Sequence, residues 1–94
     1  MEIEVIAKKL GMDPKNLMKK SVKLWIQVEL MKVNAKIIEI LTRYNVKDAK
    51  ELEKKIETGE IPEHPAWEDL IDLENYINAK NRLLEVAKIV EKSS

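Results

Sequence analysis

The residues whose types and spacing could support catalysis are few. Glu68, Asp69 and Asp72 place acids within one turn of a predicted helix. Such acids hold Mg²⁺ in small all-helical nucleotide pyrophosphohydrolases when a facing helix supplies a second set of carboxylates. The candidates for that second set, Glu29 and Glu39, are isolated from each other along the chain. A Mg²⁺-dependent nucleotide hydrolase is therefore the weakest of the functional interpretations.

Other catalytic groups are scarcer still. The chain has one histidine, His64, which stands between two prolines, and a lone histidine in a linker is normally solvated. The absence of cysteine excludes disulfides, thiolate metal ligands and cysteine nucleophiles. No nucleophile–base pair and no glycine-rich phosphate loop is visible. We therefore predict a protein that is not an enzyme, with no catalytic, metal-binding or cofactor-binding residues.

A short segment with a glycine turn, residues 6–23, resembles the helix-turn-helix of DNA-binding proteins. Ala7 precedes Gly11 by four positions, as the turn of that motif requires. Lys20, however, occupies a position that the motif fills with an apolar residue, and the helix after the turn is too long for a recognition helix. The lysines that could contact phosphates are Lys15, Lys19, Lys20 and Lys23. DNA binding is the alternative function, and plain packing of a short helix on a long one is favoured.

These residues must be positioned by helices, because Leu, Ile, Lys and Glu dominate the 94-residue chain and alternating strand patterns are rare. The length predicts a single domain, residues 1–94. We predict an all-α helical bundle in which two long antiparallel helices are bridged by a short helix, with a further short helix at the N-terminus. The predicted helices span residues 2–10, 14–44, 48–58 and 65–91, with a strand over residues 2–6 as the alternative for the first.

The helix ends are indicated by capping residues. Asp13 followed by Pro14 is typical of a helix start. Asn45 is suited to a left-handed C-cap. Asp48 and Glu51 have the spacing of a capping box.

The long helix predicted over residues 14–44 is apolar on two opposite sides. The first seam consists of Leu17, Ser21, Leu24, Val28, Met31, Ala35 and Ile38. The second seam consists of Ile26, Leu30, Val33, Ile37, Ile40 and Tyr44. Both follow the alternating spacing of four and three residues that is typical of a coiled coil.

The fourth helix can cover only one of these seams, through an apolar stripe. The stripe comprises Ala66, Leu70, Leu73, Ile77, Leu84 and Ala87, and it is widened along its second half by Tyr76, Ala79, Leu83, Val86 and Val90. The other seam needs a second chain, because an exposed apolar patch of that size usually marks an interface. We therefore expect a homodimer. The candidate interface residues are Leu24, Val28, Met31 and Ile38 of the first seam and Ile26, Leu30, Val33 and Ile37 of the second. A monomeric bundle and an obligate second protein are the alternatives.

A third apolar face lies near the start of the long helix and carries Met18, Val22 and Trp25. The favoured interpretation is a pocket that the N-terminal helix fills through Ile6 and Leu10. The alternative is an exposed anchor for a partner.

Charge is distributed unevenly although the net charge is zero. Residues 8–43 carry nine basic and three acidic residues, whereas residues 48–78 carry three basic and ten acidic ones. The two parts should attract each other, within the chain or across a dimer. We see neither a membrane-spanning run nor a signal peptide, and expect a cytoplasmic protein with a thermophile-like composition.

The segments Tyr44-Asn45-Val46, Glu51-Leu52-Glu53 and His64-Pro65-Ala66-Trp67-Glu68-Asp69 resemble parts of small uncharacterised archaeal helical proteins, some of which look like antitoxins of toxin–antitoxin pairs. The resemblance spans residues 44–77 and carries over no catalytic residue. It implies a dimeric protein that binds a partner and also contacts DNA. The prediction from the whole sequence is a non-enzymatic protein–protein interaction module, dimeric, acting as a regulator or an antitoxin-like protein.

Overall fold

The longest element is fixed by the capping residues at its two ends. In the computed structural model, which describes residues 1–93, helix α2 spans Pro14–Tyr44. The side chain of Asp13 accepts a hydrogen bond from the backbone N–H of Asn16 at 3.0 Å. Asn45 ends the helix in the left-handed region, at φ 52°, and the next residue, Val46, is buried. These contacts satisfy backbone groups that a helix end otherwise leaves without partners.

Within residues 1–93, three further helices complete an all-α fold, as predicted. Helix α1 spans Ile3–Lys9, α3 spans Ala49–Glu57 and α4 spans Glu63–Lys92. The alternative of a strand over residues 2–6 is wrong, since this segment is helical from Ile3. The bounds of α4 include His64, whose backbone is not helical, so the continuous part of the helix begins at Pro65, as predicted.

Helix α3 is held by the expected cap, with one difference in detail. Asp48 accepts a hydrogen bond from the backbone N–H of Glu51 at 2.8 Å. The carboxylate of Glu51 accepts from the backbone N–H of Lys47 at 3.1 Å, one residue before the usual capping-box donor. These two contacts fix where α3 begins, and its buried residues Leu52 and Ile56 pack it into the core.

The antiparallel pair of α2 and α4 forms the body of the molecule, and the main apolar core lies at one end of that pair. Leu52 of α3 and Leu73 of α4 are fully buried in this core. Its members are Ile40, Val46, Leu52, Ile56, Ala66, Leu70 and Leu73. Two further buried side chains, Ala7 and Ile26, lie outside this cluster.

The fold is a rod rather than a sphere. It measures 61 × 22 × 18 Å and has a radius of gyration of 19.1 Å. A compact chain of this length would have a radius of gyration of about 12 Å. The accessible surface is 7200 Å², about 1,600 Å² more than the roughly 5,600 Å² expected for a compact monomer of 10.9 kDa.

Candidate interaction surface

The first seam of α2 is exposed along most of its length. Leu24 and Ile38 are each 61% exposed, and Met31 is 72% exposed. Val28 and Ala35, which lie between them, and Ser21, which precedes Leu24 by three residues, are also exposed, and only Leu17 at the N-terminal end is half-buried. The exposed part, residues 21–38, is about 25 Å long at the rise of an α-helix. It is a continuous apolar strip on one side of the rod.

The second seam packs against the chain's own helix α4. Ile26 and Ile40 are buried, and Ile37 and Tyr44 pack against the main core. The other two members of the seam, Leu30 and Val33, are half-buried. Of the candidate interface residues, Ile26, Leu30, Val33 and Ile37 are thus covered within one chain. Leu24, Val28, Met31 and Ile38 are the ones that remain accessible to a partner.

The covering stripe of α4 differs from the prediction in its C-terminal half. Ala66, Leu70 and Leu73 are buried as expected, but Leu84 is 40% exposed. In that half, the half-buried apolar residues are Ala79, Leu83, Ala87 and Val90, all of them members of the predicted stripe. The contact with α2 is therefore narrower than predicted and leaves out Leu84 and Val86.

The prediction that α1 fills a pocket around Trp25 is wrong. Trp25 is 58% exposed and Met18 is 46% exposed. On α1 itself, Leu10 is 61% exposed and Ile6 is 40% exposed, and only Ala7 is buried. Helix α1 has two turns and anchors through one small side chain, so it leaves the apolar face uncovered. Trp25 directly follows Leu24 on the helix and widens the first seam.

The four lysines of the helix-turn-helix-like segment do not form one free basic surface. The ammonium of Lys19 donates to the backbone carbonyl of Ser93 at 2.8 Å, and Lys23 pairs with Glu91 at 2.6 Å. The ion pair with Lys23 lowers the pKa of Glu91. Both contacts join the start of α2 to the end of α4. Lys15 and Lys20 are exposed.

Three of the acids that could have held a metal ion, Asp69, Glu39 and Glu29, have other partners. Asp69 accepts hydrogen bonds from the Tyr44 hydroxyl and from the guanidinium of Arg43, the latter at 2.9 Å. Glu39 pairs with Arg43 at 3.4 Å, and Glu29 pairs with Lys32 at 3.2 Å. Within residues 1–93, no three side chains of His, Cys, Asp or Glu are grouped so that they could hold a metal ion.

The contact between Tyr44 and Asp69 changes the acid–base behaviour of its neighbours. Burial, together with the hydrogen bond to the Asp69 carboxylate, raises the pKa of Tyr44 above its ordinary value. The hydrogen bond to the same carboxylate raises the pKa of Arg43. This cluster joins the end of α2 to the start of α4 and has the character of a structural contact. His64, by contrast, is exposed, with Glu68 3.2 Å from its Nδ1.

Folding separates the charges toward opposite ends of the rod. The contacts of Lys19 and Lys23 place the start of α2 beside the end of α4. The segments at this end, residues 1–23 and 80–93, carry ten basic and five acidic side chains, a net charge of +5. At the other end, residues 36–72 carry six basic and ten acidic side chains, a net charge of −4. We call these ends the basic pole and the acidic pole.

A further set of exposed apolar side chains was not predicted from the sequence. Trp67 and Ile71 on α4 are each 46% exposed, and Ile89 is 65% exposed. Trp67 lies in the segment that carried the archaeal resemblance. Its position next to Ala66 is the one sequence feature that could have indicated its exposure. Adjacent residues of a helix lie on different faces, so Trp67 and the buried Ala66 do not share one. None of the helices in residues 1–93 is long and apolar enough to cross a membrane.

Comparison with known proteins gives a family relationship that covers almost the whole chain. Searches among curated proteins and among solved structures find no match. The model of the Uncharacterized protein MJ0235 family matches residues 1–93. That match is much longer than the segment 44–77 on which the sequence resemblance rested, and the chain belongs to the Uncharacterized protein MJ0235 family.

Proposed function

We propose that this protein is a non-enzymatic protein–protein interaction module that forms a homodimer through the first seam of α2. The observation that carries the proposal is the exposure of Leu24, Met31 and Ile38 in one continuous strip. Exposed large side chains that recur at heptad spacing are the pattern by which helices pair. A strip of this kind on a water-exposed surface usually marks a binding site.

The area of surface supports a second copy as the occupant. The rod exposes about 1,600 Å² more than a compact monomer of its mass. A standard interface covers about 800 Å² on each partner. One dimer contact along α2 would therefore remove about half of the excess, and the long seam offers a matching surface to an identical helix.

The side chains capable of chemistry support a non-enzymatic role. Asp69 is engaged by Tyr44 and Arg43, and the isolated acids Glu29 and Glu39 are paired with basic neighbours. These contacts stabilise helix packing and helix surfaces. The proposal therefore rests on an apolar surface and needs no bound ion or cofactor.

Two finer interpretations would fit within such a dimer. An antitoxin-like regulator is one case of a dimeric interaction module, and the archaeal resemblance of residues 44–77 favours it. DNA binding by residues 6–23 has less support, because Lys19 and Lys23 are held by the end of α4.

The test is the mass of the protein in solution, measured by light scattering over a dilution series. Val28 lies in the middle of the first seam, and Val28→Glu would bury two unpaired carboxylates in each dimer. We expect wild type to be a dimer. The dissociation constant of the Val28→Glu dimer should be at least about 1,000 times that of wild type, since a buried unpaired charge costs several kcal/mol. Asn75→Glu is the matched control, because it adds the same charge at an exposed position of α4.

The helical circular dichroism of both variants should match wild type, because Val28 and Asn75 are exposed in the single chain. A wild-type protein that remains monomeric at every concentration would refute the proposal. So would a Val28→Glu variant that dimerises as well as Asn75→Glu.

A further inference from the structure

We infer that the second copy docks antiparallel on the first seam, with the two-fold axis passing between Glu29 and Leu30. This inference rests on the proposed function and adds the direction and register of pairing. Three independent features of the chain lead to it: the sizes of the seam residues, the charges at the two poles and the residues that flank the seam.

The side chains of the first seam alternate between small and large. The small positions are Ser21, Val28 and Ala35, and the large positions are Leu24, Met31 and Ile38. In a parallel pair each residue faces its own copy, so layers of two small side chains would alternate with layers of two large ones. The large layers would hold the helices apart and leave voids at the small layers.

An antiparallel pair resolves this mismatch, and one register uses all six exposed positions of the seam. When Val28 faces Met31 of the second copy, Leu24 faces Ala35 and Ser21 faces Ile38. Every layer then combines one small and one large side chain. The axis of this register lies at the midpoint of α2, which spans Pro14–Tyr44, so the two helices overlap over their full length. A shift by one heptad in one direction would set Ile38, which is 61% exposed, against Pro14 at the helix end and would use the half-buried Leu17 in its place. A shift in the other direction would set Ser21 against Asn45, beyond the end of α2.

The charge of the rod favours the same direction. Antiparallel docking lays the basic pole of each copy, net +5, beside the acidic pole of the other, net −4. Parallel docking would place like poles together along a rod 61 Å long. Salt at physiological concentration screens exposed charges that lie more than about 8 Å apart. Poles that lie side by side in a dimer therefore interact, whereas poles at opposite ends of the rod do not.

The residues that flank the seam also fit. Trp25 is 58% exposed in the single chain. In the antiparallel register it lies on the same flank as Lys32 of the second copy. There the methylene groups of Lys32 can cover the ring, and its ammonium can approach the ring face. The exposed tryptophan that α1 fails to cover thereby acquires a partner.

Cysteine cross-linking distinguishes the two directions, since the protein has no cysteine of its own. Leu24 and Ala35 are eleven residues apart, about 16 Å along the helix, whereas a disulfide requires Cα atoms within about 7 Å. In the antiparallel dimer a Leu24→Cys chain links to an Ala35→Cys chain, and neither links to itself. In a parallel dimer each variant links to itself and the mixture gives no mixed product.

The experiment mixes the two full-length variants, one carrying a mass tag, oxidises them mildly and identifies the covalent dimers by mass. Thr42→Cys mixed with Leu24→Cys is the register control. Thr42 is one heptad beyond Ala35 and should give little product. Light scattering on the reduced variants first establishes that both are dimers.

We expect the mixed product of Leu24→Cys and Ala35→Cys to dominate. Self-linked products would overturn the antiparallel direction while leaving the proposed dimer intact, and a dominant product with Thr42→Cys would overturn the register. No cross-link in a sample of dimeric mass would also overturn the inference. A monomeric mass before oxidation, by contrast, would refute the proposed function itself.

Discussion

Replacing leucine by alanine at position 24 and at position 73 should have very different effects on stability. Leu73 is fully buried between the helices, whereas Leu24 is 61% exposed on the first seam. Leu73→Ala leaves a cavity in the core and should lower the free energy of unfolding by ~2–5 kcal/mol. In a single chain, Leu24→Ala removes a side chain that is only about two-fifths buried, so its cost should stay below ~1.2 kcal/mol, given ~1.5–3 kcal/mol for full burial.

The dimer changes this comparison. Pairing would bury the remaining three-fifths of each Leu24, worth ~1–2 kcal/mol per copy. Two copies contribute ~2–4 kcal/mol, so Leu24→Ala should weaken the dimer by roughly 30- to 1,000-fold. The stability of a dimer depends on protein concentration, and the stability of a monomer does not.

The assay is urea unfolding followed by helical circular dichroism at two protein concentrations about 100-fold apart. The urea midpoint of wild type should rise with protein concentration. The midpoint of Leu24→Ala should be close to that of wild type in the dilute sample and below it in the concentrated sample. Leu73→Ala should unfold earlier in both samples. A wild-type midpoint that is the same at both concentrations would refute the reasoning. So would a Leu24→Ala variant as unstable as Leu73→Ala in the dilute sample.

Two further predictions concern the end of α2. Asn45 has a φ of 52°, so Asn45→Ala should cost ~1 kcal/mol of stability, whereas Asn45→Gly should be neutral or stabilising; equal thermal midpoints for the two variants would contradict this account of the cap. The raised pKa of Tyr44 means that its neutral form is favoured in the folded state, so this contribution is complete below pH 10.0 and is lost as the pH rises through the folded-state pKa. Unfolding midpoints measured across that range should fall more steeply for wild type than for Tyr44→Phe, and parallel curves would show that Tyr44 makes no such contribution.

The parts of the fold that the sequence predicts best depend on neighbours along the chain. The caps at Asp13, Asn45 and Asp48 act within one turn of helix, so the residue types alone indicate where α2 and α3 end. The two seams of α2 follow from helical periodicity, which is also local. The all-α class required only these signals.

The parts that the sequence did not predict depend on how helices meet in space. Nothing local decides which seam α4 covers, because both seams of α2 are apolar and similarly spaced. The exposure of Trp25 depends on how far the two-turn helix α1 reaches, and a pattern of spacing does not give that distance. Lys19 and Lys23 contact the end of α4 only because the long helices align antiparallel, which brings together residues more than sixty positions apart.

The shape of the rod affects how its assembly must be measured. A particle about three times as long as it is wide experiences more friction than a sphere of equal mass, so it diffuses slowly and elutes early from a sizing column. A monomer judged against globular standards would therefore seem heavier than it is. Antiparallel docking centred on the midpoint of α2 would thicken the particle and hardly lengthen it, so elution would shift less than a doubling of mass suggests. Hydrodynamic size alone would thus distinguish monomer from dimer poorly, whereas the intensity of scattered light reports mass directly and separates them.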